Sequence, residues 1–200
     1  MKGMIKDALI LFAITLIAGL MLGVVNDITK EPIAKQEQKA KTEACQNVFA
    51  DAASFEEAQL QDATQALTDA GITGADIDEL MEAKDASGAL LGYVITVTDH
   101  EGYGGDIQFS MGVTTDGILN GISLLSISET AGLGMKAGEV LVPQFENKNV
   151  SRFSYTKTGS TGESEIDAIS GATITTNAVV NGVNAGLVYF DEFLKGGSAQ

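Results

Sequence analysis

Tryptophan is absent from this 200-residue chain, and cysteine, histidine and arginine occur once each, as Cys45, His100 and Arg152. A single cysteine excludes a disulfide framework and any cysteine-based zinc or iron–sulfur site within the chain. Ser-His-Asp hydrolysis would have to run through His100, which lies between Asp99 and Glu101, and no G-x-S-x-G accompanies it. Basic residues number 12 against 27 acidic ones, for a formal net charge of −15. A surface so negative repels phosphate backbones, so no nucleic-acid partner is expected. Two prolines stand against 23 glycines, which points to many turns rather than to disorder. At 44% hydrophobic, the chain can bury a core. Its length suits one domain with an accessory segment.

One long apolar run is present. Ala8 to Asn26, 19 residues, carry no charge. At 1.5 Å per residue they reach roughly 28 Å, close to a bilayer's hydrocarbon thickness. The run is long for a signal-peptide core, and no A-x-A-like cleavage site follows it, so an uncleaved anchor is the favoured reading. Lys2 and Lys6 precede the run, whereas Lys30, Lys35, Lys39 and Lys41 follow it, so charge leaves the orientation open. Gly19 and Gly23 form a G-x-x-x-G, which suits either a partner helix or the ordinary glycine content of membrane helices.

After Pro32, residues 33–50 are strong helix formers and predict a helix carrying Cys45 as a small, half-buried hydrophobe. Residues 51–101 hold twelve acidic side chains and one lysine, Lys84, and predict a solvated face with short helices around 54–68 and 75–83. From Ala89 the texture becomes β-branched and aromatic. Strands are expected over 90–98, 107–114 and 118–128, the last two joined by an Asp116-Gly117 turn. Residues 176–194 repeat Val179, Val183, Leu187, Phe190 and Leu194 at helical steps, with Gly182 and Gly186 suited to close packing. The fold class is α+β: one N-terminal transmembrane helix, then an antiparallel-sheet domain with packed helices. The boundaries read as 1–28 anchor, 29–87 helical acidic segment, 88–195 main domain and 196–200 tail.

Three glycine-containing stretches carry the chemistry. They are Gly102-Tyr103-Gly104-Gly105, Glu129-Thr130-Ala131-Gly132-Leu133-Gly134 and Asp167-Ala168-Ile169-Ser170-Gly171-Ala172-Thr173. Each singly is a turn; their order is informative. Together they resemble the FMN-binding domain found in the Rnf complex, in its G subunit, and in the sodium-translocating NADH:quinone oxidoreductase, in its C subunit. That family shows E-T-P-G-L-G and then D-x-x-S/T-G-A-T. Here Ala131 replaces the usual proline, and the last motif is intact. The resemblance covers roughly residues 88–195 and extends to the single N-terminal span. Length and layout favour the Rnf member of the pair.

The resemblance implies FMN joined through its phosphate to the hydroxyl of Thr173 by a separate flavin transferase with FAD as donor. It implies an electron-transfer subunit of an ion-translocating ferredoxin:NAD oxidoreductase complex, partnered by other integral membrane subunits. It also implies a single-pass protein of the bacterial cell membrane with its soluble domain on the outer side. Thr173 is expected two or three residues before a helix capped by Thr175 or Thr176, where free N–H groups and the helix dipole favour a phosphate. Ser170, Gly171 and Ala172 keep the approach open. Glu129, Thr130, Leu133 and Gly134 are expected beside the flavin. Lys136 either answers the phosphate or is solvated. Asp167 either caps a turn or orients the threonine, and Tyr103 is either beside the ring or in the core. The competing reading is an anchored, non-redox assembly or binding module with a flavin-domain-like fold.

Overall fold

The structure, a computed structural model, describes residues 2–196, so the tail expected over 196–200 lies, but for its first residue, outside the described residues. It comprises two compact units, Met1–Ala40 and Lys41–Gln200. Helix α1 (Lys2–Val48) supplies the first unit and the opening turns of the second. Pro32 lies inside α1 and does not end it, and the exposed pair Lys35–Glu31, at 2.7 Å, spans it one turn apart. The apolar run is exposed, and among the described residues α1 is the one helix long and apolar enough to cross a membrane. Its threonines are satisfied internally: Thr15 donates to the Leu11 carbonyl at 3.0 Å and Thr29 to that of Val25 at 2.8 Å. That matters where no water is available to accept.

The second unit continues with β1 (Ser54–Glu57), α2 (Thr64–Asp69), β2 (Ala75–Lys84), β3 (Leu90–Asp99), β4 (Ile107–Thr114) and β5 (Leu119–Ile127). Then follow a short helical stretch with α3 (Ala137–Val140), strands β6 (Ser154–Thr156) and β7 (Glu165–Asp167), and α4 (Thr173–Tyr189), which ends in a wider turn over Phe190–Leu194. Strands β1 to β5 form an antiparallel meander in sequence order, and β6 and β7 pair in parallel. Meander order needs only short connections, and Asp116-Gly117, with Gly117 at φ 85°, turns the β4–β5 hairpin.

Helix α4 covers one face of the sheet. Val179, Val183, Leu187, Phe190 and Leu194 are each 4% exposed or less, as their helical spacing predicts. The helix can come close because two of its residues lack a Cβ. A Cβ at Gly182 would lie 2.9 Å from the Phe109 ring, and one at Gly186 would overlap the Met111 sulfur. The other face carries a smaller cluster in which Cys45, Val48 and Phe49, from the end of α1, meet Ala83 and Val94. Burial there pushes the Cys45 thiol up to about 11, as expected of a packing residue rather than a redox thiol.

The acidic segment departs from expectation. Residues 54–57 and 75–84 are strands, not helices, and only Thr64–Asp69 is helical. The register of β2 slips between Ile77 and Glu79, leaving Asp78 as an extra residue. Across that bulge, Ile77, Leu80 and Ala83 fall three apart, which imitates helical spacing. In the sheet the pattern is a broken alternation: Ala75, Ile77 and Leu80 join the α4 cluster, whereas Met81 and Ala83 join the α1 cluster.

If the Gly182–Phe109 contact sets the height of α4, Gly182→Val should destabilise the full chain in detergent. Overpacking is worth about 1–3 kcal/mol, well above the few tenths gained in helix propensity. A urea midpoint unchanged from wild type would show that the contact yields freely.

Candidate functional site

Two of the glycine stretches, far apart in the chain, meet at one carboxylate, and the third lies against the second, with Gly171 beside Leu133. Glu129, directly beyond the end of β5, is 9% exposed. Its Oε1 accepts the Gly104 N–H at 3.2 Å. A Cβ at residue 102 would lie 2.9 Å from the same oxygen, and one at residue 134 would lie 2.8 Å from Oε2 and 2.5 Å from Thr175 Oγ1. Side chains at 102 and 134 would therefore fill the space that the carboxylate and the start of α4 occupy. This close approach explains these glycines better than turn propensity does.

The second and third stretches then make the same local structure. The Leu133 N–H donates to the Thr130 carbonyl at 3.1 Å around Gly132, whose φ is 79°. The Ala172 N–H donates to the Ile169 carbonyl at 3.0 Å around Gly171, also at φ 79°. In both turns glycine holds the third position, where positive φ is unfavourable for other residues. Each turn feeds directly into a helical start, at Gly134 and at Thr173.

Thr173 is the first residue of α4, not a residue two or three positions ahead of it, and the cap is Ala172 with no side-chain bond. Thr176 is the reason. Its buried hydroxyl accepts the Ile169 N–H at 3.1 Å and donates to the Ala172 carbonyl at 2.9 Å, tying the turn onto the helix. Thr175 and Thr176 are 1% and 0% exposed, so neither hydroxyl is available, whereas Thr173 is half-buried at the surface.

A cavity of about 480 Å³ opens between the stretches. It is lined by Tyr103; by Glu129, Thr130, Leu133 and Gly134; and by Gly171, Ala172, Thr173, Ile174 and Thr175. The volume lies in the range of cofactor sites. Tyr103, Leu133 and Ile174 are exposed apolar walls, at 70%, 40% and 51%. The first N–H groups of α4 have no partner within the helix. A flat apolar ring bearing a phosphate fits this set: walls for the ring, a hydroxyl and a helix start for the phosphate.

Three expected residues stand outside the lining. Ser170 and Lys136 are exposed and do not line the cavity. Asp167 caps a turn, accepting the Ser160 N–H at 2.5 Å. Tyr103 is on the rim, not in the core. Two residues are not legible from motifs. Ile174 adds a wall, and Gln144 holds the Asp167 peptide from both sides, accepting its N–H at 2.7 Å and donating to its carbonyl at 3.1 Å. Nothing in sequence spacing signals Gln144, because its partner is backbone.

Two other features draw the eye and carry less. A larger cleft, about 590 Å³, lies over α2 and β2, but its carboxylates are already engaged: Asp62 by Thr64, Asp78 by Thr98, and Asp76 by His100. His100 lies between Asp106 at 2.9 Å and Asp76 at 3.1 Å, and these hydrogen bonds, that to Asp106 first, raise its pKa. It bridges strand ends and bonds no serine.

Site and fold together define a flavin-binding domain. The family model of the FMN-binding domain matches residues 102–188, and that of the RnfG N-terminal region matches residues 1–48. The G subunit of the Na(+)-translocating ferredoxin:NAD(+) oxidoreductase complex of Acetobacterium woodii is 33% identical over 97% of this chain and 95% of its own length. The G subunit of the ion-translocating oxidoreductase complex of Methanosarcina acetivorans is 26% identical over 94% and 95%. The solved C subunit of the Na(+)-translocating NADH-quinone reductase from Parabacteroides distasonis shares the fold, with a TM-score of 0.51 at 18% identity over 74% of this chain and 80% of that one. The chain belongs to the RnfG family.

Ala131 occupies the second position of the Thr130–Leu133 turn, where proline's fixed φ suits such turns. Ala131→Pro should stabilise the chain by about 0.4–1 kcal/mol by restricting the unfolded state. Thermal unfolding checks this; a lower midpoint would mean that the turn does not accept the ring.

Proposed function

We propose that this chain is a membrane-anchored electron-transfer subunit that carries FMN, joined through its phosphate to Thr173, within an ion-translocating ferredoxin:NAD oxidoreductase complex. One observation carries the reading most directly. Of the three threonines at the start of α4, the one that ends the D-x-x-S/T-G-A-T motif is the one that lines the cavity without being buried.

Each residue has a distinct part. Thr173 offers Oγ1 as the attachment atom. The turn Ile169–Ala172, held by Thr176, presents it, and the N–H groups of the first turn of α4 balance the negative phosphodiester. Tyr103, Leu133 and Ile174 bound the ring and limit its access to water. Glu129 keeps two of the walls in register. The bound FMN supplies the electron-carrying chemistry. Helix α1 serves as the single membrane anchor, with the soluble unit on the outer side, as the family resemblance implies. Other integral membrane subunits are its partners, and a flavin transferase matures it. Ser170, outside the cavity lining, is read as keeping the approach of that enzyme open, and Lys136, also outside it and exposed, as solvated.

Co-production with a flavin transferase should give a fluorescent band on a denaturing gel. A peptide spanning Asp167–Tyr189 should gain the mass of FMN less one water, located on Thr173. Thr173→Ala should be dark, with no transfer to Thr175, Thr176 or Ser170. A dark wild type that still assembles with its partners would favour the non-redox module, and a bright Thr173→Ala would move the attachment elsewhere.

A further inference from the structure

Among the described residues, Asp99 Oδ2 is the one buried side-chain oxygen or nitrogen without a hydrogen-bond partner. Asp99 ends β3 and is 0% exposed, on the side of the sheet that α4 covers. A Cβ built on Gly182 would lie 3.5 Å from the Asp99 Cβ. A carboxylate so enclosed, with an idle oxygen, is expensive when charged. Its other oxygen is occupied: Oδ1 accepts the Glu101 N–H at 2.8 Å, the first bond of the loop that follows.

That loop leads to the cavity. The Glu101 side chain accepts from Asn181 of α4 at 3.4 Å. Gly102 rests against Glu129, Tyr103 lines the cavity, and Gly104 donates to Glu129. The segment 100–105 is thus held by a carboxylate at each end, Asp99 at its start and Glu129 near its finish. Glu129 borders the cavity, whereas Asp99 is sealed beneath α4.

We propose that Asp99 is a proton-controlled positioning residue: protonated, it stays buried and holds the Tyr103 loop against the cavity, and deprotonated, it releases that loop. The proposal deepens the flavin reading and rests on it, because it assigns regulation to the rim of the same site.

Burial is the largest influence on this carboxyl and pushes it up to about 6. The neighbouring charges are mixed. The Glu101 N–H bond opposes burial by favouring the charged form, and His100 on the same turn lowers the pKa further, whereas the charges of Glu101 and of Asp106, the latter just before β4, raise it; burial outweighs the lowering influences. Asp76 on β2 is bonded to His100, while α4 presents only the neutral Asn181 and Gly182. The sign follows. The folded state keeps a proton that the unfolded chain loses near the ordinary value of 3.8. Stability is therefore full below that value, falls as pH rises toward about 6, and levels off above it. The segment 100–105, which leads on from Asp99 and is mostly exposed, is where the opening occurs.

The test uses the full chain in detergent, produced without any flavin transferase, so that a failure of flavin attachment cannot affect it. Amide hydrogen exchange of residues 101–105, corrected for intrinsic rates, should speed up on the order of tenfold or more between pH 5 and 7.5, since each unit of displacement is a factor of ten. Asp99→Asn keeps an acceptor for the Glu101 N–H and cannot ionise, so its loop should stay protected throughout. Carbon NMR of the Asp99 carboxyl in the wild type gives a reading that needs no variant, with a midpoint well above the usual aspartate range. A wild-type midpoint in that usual range, a loop indifferent to pH, or an Asp99→Asn profile that follows the wild type would each overturn the proposal.

Discussion

The contact between α4 and β4 determines where everything else stands. Gly182 faces the Phe109 ring and Gly186 faces the Met111 sulfur, so the helix backbone lies lower on the sheet than one with side chains at those positions could. Helix glycines lose roughly 1 kcal/mol each in propensity relative to alanine. The closer approach lets Val179, Val183 and Leu187 seal a continuous core in return. With α4 fixed at that height, its first turn meets the loop of Glu129, Thr175 Oγ1 lying beside Gly134. A higher helix would separate the two turns whose convergence makes the cavity.

Glu129 does at the site what the glycine pair does in the core. One buried carboxylate gathers three segments: the Gly102–Gly105 loop, its own turn and the start of α4. The loop and its own turn present glycine or a backbone N–H toward it, and Gly134 lets Thr175 of α4 come close, so the gathering depends on missing side chains as much as on hydrogen bonds. The two turns around Gly132 and Gly171 repeat one geometry side by side, with Gly171 against Leu133. Such a site is most firmly tied at the start of α4, where Thr176 bonds both sides of the preceding turn. It is looser at Tyr103, whose side chain is 70% exposed.

Much of this is readable from residue order, and the misses have causes. Strands β3, β4 and β5 fall where β-branched runs stand, and the buried stripe of α4 follows its spacing, because a single periodicity runs through each. The α+β class and the long apolar first helix are likewise as read. Strand β2 escapes a sequence reading because its bulge at Asp78 disguises alternation as helical spacing, and β1 because four mostly exposed residues carry no pattern. The start of α4 falls earlier than expected because a buried threonine hydroxyl, that of Thr176, does the work that a capping side chain would announce. Of the site, the motif residues Thr173, Glu129, Thr130, Leu133 and Gly134 converge, whereas Ile174 and Gln144 act through tertiary placement that no local signal encodes.

The electrostatics of the cavity bear on the proposed covalent link. Its lining contains one carboxylate and no cation, α4 has no charged residue from Thr173 to Tyr189, and Lys136 lies outside the wall. A free phosphate would meet mainly the helix start, worth about 0.3–1 kcal/mol, whereas even micromolar binding needs about 8 kcal/mol. A net charge of −15 adds a long-range repulsion. In the proposed reading the ester bond removes the need for affinity, and the protein has only to shape and shield the ring. In keeping with this, Tyr103, Leu133, Met135 and Ile174 are, with Leu60, the large apolar side chains that the described part of the second unit leaves exposed. Four of the five lie on the segments that enclose the cavity, so the exposed apolar surface of this acidic domain is concentrated where a flavin would be covered.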